Sequence, residues 1–226
     1  NSETDFVAKN EKFQTFVSNV ANQILDSDAA DMDAFMAEPW ALDTTKTVKD
    51  ELVSQIAVIG ENMNIRRFKK IESDGVLASY IHAGGKIGVL VEADAPANDA
   101  VTAAIKTIAM QIAAINPGYL NEQSVPAEVL EHEKSIMKAE VVNSGKPEAI
   151  AEKIVMGKIG KFYKENCLVD QVFVKDSSLS VTQYTNNVAK ELGGSIKITD
   201  FVRYEKGEGL EKREDNFADE VASMVK

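Results

Sequence analysis

Asp5 and Phe6 carry the most pointed chemistry in this 226-residue chain. An acid stands beside a bulky aromatic where a helical pattern begins. Lys9 and Asn10 fill the positions three and four residues on, where a core-facing helical Phe has apolar neighbours. Such an aromatic either ends a buried stripe, whose next member is Phe13, or projects toward another protein. By pattern alone burial is the commoner fate. Other reactive residues are sparse. Cys167 is the single cysteine, so no internal disulfide forms, and between Asn166 and Leu168-Val169 it reads as a buried thiol rather than a nucleophile. His82 and His132, the only histidines, have no metal-ligand spacing with it. The pairs Gly85-Lys86, Gly145-Lys146, Gly157-Lys158 and Gly160-Lys161 are followed by Ile, Pro, Ile and Phe, so none completes a phosphate loop. Gly207 and Gly209 lead to Lys212 without a third glycine, and no G-x-S-x-G elbow occurs. Carboxylates are too numerous for any pair to stand out. The expectation is a binding protein with no catalytic residue, no cofactor and no metal, and not an enzyme.

Charge sharpens that expectation. With 36 acidic against 25 basic residues the net charge is −11, which repels phosphate backbones and argues against nucleic acid as a direct partner. The one basic cluster, Arg66-Arg67-Phe68-Lys69-Lys70, alternates as a strand with a solvated charged face does. The apolar stretch 101–115 is interrupted by Thr102, Lys106 and Gln111, so no membrane span is expected. The cysteine usage suits a reducing, cytoplasmic setting. The first residue is Asn rather than Met, which reads as a fragment.

These residues need elements to position them. The spacing of Phe13, Phe16, Val17, Val20, Ala21 and Ile24 predicts one helix over 4–25 with Thr4 as N-cap. The acidic stretch 26–45, broken by Pro39, reads as a surface excursion anchored by Trp40. A helix over 45–59 ends at Gly60. Strands are predicted at 63–72, 76–82 and 86–93, the last two joined through Ala83-Gly84-Gly85. A helix over 98–115 stops before Pro117-Gly118. Pro126 and Pro147 open two helices, 126–143 and 147–165, as an αα-hairpin whose leftover apolar surface suggests self-association. A strand at 171–175, a helix at 180–192 ended by Gly193-Gly194, a strand at 195–205 and a helix at 216–225 complete the pattern, and no convincing sequence repeat is visible. The fold class is α+β: two small sheet-plus-helix subdomains, an inserted antiparallel helical hairpin and a short C-terminal helix. The divisions fall at 1–83 for the N-terminal core subdomain, 84–123 with 166–206 for the C-terminal one, 124–165 for the hairpin and 207–226 for a C-terminal module.

Several segments combine into a resemblance. Thr4-Asp5-Phe6-Val7-Ala8-Lys9-Asn10 and Ile59-Gly60-Glu61-Asn62-Met63-Asn64-Ile65-Arg66-Arg67 closely resemble signatures of bacterial translation elongation factor Ts. Ser79-Tyr80-Ile81-His82 leading to Gly88-Val89-Leu90-Val91, then Ser144-Gly145-Lys146-Pro147, then Phe201 to Glu205 with Gly207 to Lys212, follow in the family's order. The family's N-terminal helical module would precede Asn1. The resemblance implies guanine nucleotide exchange on elongation factor Tu, with no catalytic group. It implies that Phe6 wedges between helices of the partner's G domain and disturbs its Mg²⁺ and phosphate site, with Thr4, Asp5 and Val7 beside it. Ile59, Gly60 and His82 match further contacts to that domain, and Val174 and Lys175 match a segment that touches another domain. Lys175 stands where some members carry an apolar residue. The alternative is an interaction or assembly module that uses the helical hairpin and has no exchange activity.

Overall fold

The computed structural model describes residues 1–145 and 147–210; the helix predicted at 216–225 lies outside them. The chain divides into two compact units, residues 1–72 with the segment from Lys206, and residues 73–205. The division precedes the hairpin of β3 (Val76–His82) and β4 (Ile87–Asp94) instead of falling in its turn at 83, because the two strands share a continuous antiparallel ladder from Val76↔Ala93 to His82↔Ile87. Among the described residues no helix is long and apolar enough to cross a membrane.

In the first unit the predicted helix over 4–25 is two helices, α1 (Asp5–Ala8) and α2 (Glu11–Asp26). Asn10 causes the break: its backbone is extended and its side chain accepts from the Lys12 N–H at 2.8 Å, a capping bond that competes with continuing the helix. The stretch 26–45 is not an excursion. It holds α3 (Met32–Ala37), started by Asp31 accepting from the Ala34 N–H, and the small hairpin of β1 (Pro39–Trp40) and β2 (Asp43–Thr47). Phe35 from α3 is completely buried and packs its ring 5.4 Å from that of Phe68, while Trp40 lies 6.0 Å from Phe16. With Val7, Val20, Val48, Leu52 and Met63 they form one core. Helix α4 (Val48–Ile59) starts on a Thr47–Asp50 capping box and ends at Gly60, whose φ of +83° suits a residue without a Cβ. The strand predicted at 63–72 does not form. Met63 makes a single bridge to Ser2, and Ile65 and Phe68 anchor the rest of the segment to the core as an irregular run.

In the second unit β3, β4 and β7 (Lys197–Glu205) form an antiparallel sheet in that order, and α5 (Asp99–Ile115) covers one face. Alternation sends Val76, Ala78, Val89, Val91, Ala93 and Ile198 inward against Ile105, Ile108 and Ile112 of the helix. Gly75 must be glycine: a Cβ there would lie 2.2 Å from the Ala93 carbonyl oxygen. Helix α5 ends on Asn116 in the left-handed region, ahead of the Pro117-Gly118 pair. The helical hairpin, α6 (Ala127–Asn143) and α7 (Glu148–Asn166), is stitched in at its base, where the Tyr119 and Leu120 carbonyls accept from the N–H groups of Leu168 and Val169. Cys167 sits buried at that base, and burial first, then the charges of Asp170 and Glu122, pushes its thiol up to about 11. A thiol raised above its unfolded value of 9.0 favours the fold while protonated, so this contribution is present below about pH 9 and is lost as the pH climbs toward 11. At pH 8 the native protein is expected to give no thiol signal with Ellman's reagent, and one thiol per chain to appear on adding guanidinium.

The second unit repeats a device of the first. β5 (Val172–Phe173) and β6 (Asp176–Ser180), where the pattern predicts only a single strand at 171–175, form a small hairpin that feeds α8 (Val181–Leu192). The pairings Val172↔Ser180 and Phe173↔Asp176 mirror Pro39↔Thr47 and Trp40↔Asp43. Ser180 and Gln183 form a capping box as Thr47 and Asp50 do, and each helix runs 12 residues to a left-handed glycine, Gly60 or Gly193. The Asp43 and Asp176 carboxylates are held below the usual range by hydrogen bonds from Thr45 and Ser178 respectively. Each hairpin is also clamped by a buried glutamine. Gln23 Nε2 donates to the Pro39 carbonyl and its Oε1 accepts from the Ala41 N–H, both at 3.0 Å. Gln111 does the same to Val172 (3.1 Å) and from Val174 (2.8 Å). Gln111→Ala leaves that partly buried N–H and carbonyl without their partner, and is expected to cost about 2 kcal/mol in denaturant unfolding.

Candidate partner-binding site

One turn of helix presents the aromatic that stands out in the sequence. Thr4 is extended and gives α1 no side-chain cap, because its hydroxyl donates to Glu61 instead; its N–H donates to the second oxygen of the same carboxylate at 2.9 Å. Asp5 forms an ion pair with Lys206. Phe6 is 87 % exposed, while Val7, the next residue, is 7 % exposed and belongs to the core. Adjacent residues on a helix point about 100° apart, so anchoring Val7 turns Phe6 outward. Val7, grouped with the contact residues by the resemblance, has its side chain buried in the unit's own core and anchors α1 there. At the far end of the same unit's α4, Ile59 is partly buried against the core and Gly60 is exposed. Thr4, Asp5, Phe6, Ile59 and Gly60 therefore belong to one unit, and Glu61 ties the first group to the second. Sequence reasoning missed that tie; the only signal for it is the position of Glu61 directly after a helix-ending glycine.

The basic cluster beside this segment is not a free patch. Arg66 Nη1 donates to the Glu208 carbonyl at 2.9 Å, and Arg67 Nη2 lies 2.6 Å from the Glu208 carboxylate. Guanidinium groups so engaged hold the turn at Lys206–Gly209 against the segment that follows Glu61.

The remaining candidate residues belong to the second unit. His82 is exposed at the end of β3, where its Nδ1 lies 3.0 Å from the Tyr80 hydroxyl and the two rings are 5.7 Å apart. The turn beyond it runs through three left-handed residues, Ala83, Gly84 and Gly85, so the strand ends sharply at the histidine. Val174 and Lys175 form the tip of the β5–β6 hairpin, both exposed, with the Val174 backbone clamped by Gln111. The tip's backbone is thus held by Gln111, and the Lys175 Nζ donates to the Thr107 hydroxyl at 3.5 Å. Among the described residues no group of His, Cys, Asp and Glu side chains could hold a metal ion. What the two units offer is exposed apolar and polar side chains on well-held backbone, which can bind a surface by shape.

These features define an α+β protein whose candidate contact residues stand at helix, strand and hairpin ends. The family model described as "Elongation factor TS" matches residues 3–208, and the chain belongs to the elongation factor Ts family, factors of translation elongation in protein biosynthesis. Among curated relatives, Elongation factor Ts of Clostridium kluyveri is 47 % identical over 227 residues, all of this chain and 74 % of the relative. That of Trichlorobacter lovleyi is 50 % identical over 231 residues, with the same coverage. Elongation factor Ts of Clostridium botulinum is 48 % identical over 227 residues.

Proposed function

We propose that this protein promotes the release of GDP from elongation factor Tu, with Phe6 as the side chain that wedges into the partner. The observation that carries the proposal is the opposite fate of two neighbours: Phe6 lies almost wholly in solvent while Val7 is buried beneath it. Exposing a phenyl ring to water forgoes about 2–3 kcal/mol of burial, which a partner's apolar cleft recovers. Membership of the elongation factor Ts family supports elongation factor Tu as that partner.

Exchange by this route needs no proton transfer and no nucleophile. A factor that binds the nucleotide-free partner more tightly than the GDP-bound one weakens GDP binding by the same free energy with which GDP weakens its own binding. Equal affinity for both states would shift nothing. A rigid aromatic is well suited to such discrimination, because it fits a gap between helices that exists when phosphate and Mg²⁺ are absent and closes when they are held. Asp5 stays beside it, restrained by Lys206. Ile59 and Gly60 extend this contact to the partner's nucleotide-binding domain, His82 makes a further one, and Val174 with Lys175 engages another domain.

The test is direct. Elongation factor Tu loaded with a fluorescent GDP is mixed with this chain and excess unlabelled GDP, and dye release is followed. Acceleration that saturates with factor concentration supports the reading. No acceleration at any concentration sinks it.

A further inference from the structure

The position of Phe6 is not set by α1 itself. A four-residue helix has no stability of its own in water, and its two closing bonds, from Lys9 N–H to the Phe6 carbonyl and from Asn10 N–H to the Val7 carbonyl, cannot hold it alone. The segment is held at its flanks. On the C-terminal side the Asn10 cap starts α2, and beneath it Val7 enters the core. On the N-terminal side both oxygens of one carboxylate, that of Glu61, are taken by Thr4, one by the N–H at 2.9 Å and one by the hydroxyl. Glu61 is itself aimed by the left-handed Gly60 before it and by Met63 two residues on, which is buried and bridged to Ser2. The Asn64 N–H also donates to the Asn1 carbonyl at 3.0 Å, three residues before Thr4, and the Lys206 pair to Asp5 is a further tie, though an exposed ion pair holds a chain weakly.

From this geometry we infer that Glu61 is the positioning residue of the exchange wedge, fixing the Thr4 backbone so that Phe6 is presented in one direction before any partner arrives. The inference rests on the exchange reading above for its function, though not for its structure. In this role Glu61 requires no contact with the nucleotide or the partner. It acts through Thr4, by raising the fraction of molecules in which the wedge is ready. A factor that is ready only part of the time binds with an apparent dissociation constant equal to the intrinsic one divided by that fraction, so losing readiness raises the half-saturating concentration and leaves the plateau rate alone. This differs from removing Phe6, which lowers the plateau. Glutamine at 61 keeps an acceptor for the Thr4 N–H and offers its amide group to the hydroxyl, so it preserves the tie.

The experiment compares the 226-residue chain with Glu61→Ala, Glu61→Gln and Lys206→Ala variants, and with Glu61→Ala built on Phe6→Ala. Dye-release titrations against elongation factor Tu are run alongside amide hydrogen exchange of the free proteins. Glu61→Ala is expected to raise the half-saturating concentration about tenfold at an unchanged plateau, and Glu61→Gln to stay within about threefold of the parent. Lys206→Ala is expected to shift it about twofold. On the Phe6→Ala background, where no wedge remains to position, Glu61→Ala is expected to add less than about twofold. In the free protein, Glu61→Ala is expected to speed exchange at the Lys9 and Asn10 amides, neither of which bonds to Glu61, while the α4 amides stay protected. An active parent with unchanged half-saturation in Glu61→Ala overturns the inference, as does a larger shift in Lys206→Ala than in Glu61→Ala. Unchanged Lys9 and Asn10 exchange overturns it whatever the activity. If the parent itself releases no dye, the exchange reading fails, and the amide measurement alone decides whether Glu61 positions the segment.

Discussion

Phe6→Ala is expected to lower the plateau rate of GDP release about a hundredfold and to leave the unfolding temperature within about 2 °C of the parent. The rate loss follows from the role proposed for the ring. A central aromatic anchor that fills a partner's cleft contributes more than about 2 kcal/mol, and a hundredfold loss in rate corresponds to about 2.7 kcal/mol. The stability result follows from burial: at 87 % exposure the ring has little packing within its own chain to lose. Dye-release kinetics and thermal unfolding on the same preparation check both halves. A variant that exchanges like the parent removes Phe6 from the mechanism. A variant that loses several kcal/mol of stability shows the ring to be core.

Phe35→Ala is the counterpart, and its effects are expected to be reversed. Phe35 has no exposed surface and stacks at a tilt on Phe68, in the core that also holds Val7. Truncating a buried Phe removes both transfer free energy and packing, and costs about 3–5 kcal/mol. For a chain of this size that corresponds to a fall of about 10 °C in the unfolding temperature. The surviving folded molecules still present Phe6, so the plateau rate measured well below the transition is expected to be near that of the parent. Denaturant unfolding and a low-temperature exchange assay separate the two effects. A Phe35→Ala protein as stable as the parent would mean that α3 is not part of the core.

The contrast between these two phenylalanines shows how much the sequence could say. Their immediate neighbours serve the two differently. Phe6 has Lys9 and Asn10 where a buried helical Phe has apolar residues, and it is outside; Phe35 sits in an acidic stretch broken by Pro39 and is inside. A helix of six residues such as α3 is too short for periodicity to register, and a small hairpin such as β1–β2 leaves little alternation to read. The same limit hid β6 and made an irregular anchored run at 63–72 look like a strand. The repeated hairpin-and-helix device also escaped notice, because its shared chemistry is spread thinly. Asp43 and Asp176, Val48 and Val181, and Gly60 and Gly193 coincide in type, but the clamping glutamines come from helices that stand at different distances along the chain.

What the sequence determined by itself was whatever depends on neighbours along the chain. Gly60 and Gly193 end their helices because a left-handed residue costs a Cβ-less backbone nothing, and Thr47 and Ser180 start theirs by local capping bonds. The α+β composition, the helical hairpin and the family signatures were legible for the same reason, each being a pattern within one stretch. Tertiary structure alone decided which side of α1 faces water, since that turns on Val7 finding a core built from residues up to Phe68. It alone brought Glu61 to Thr4 and Lys206 to Asp5, pairs far apart in sequence whose side chains have many partners open to them until the fold chooses. Local backbone preferences are written residue by residue. The direction in which an exposed side chain points is settled only by what its neighbours bury.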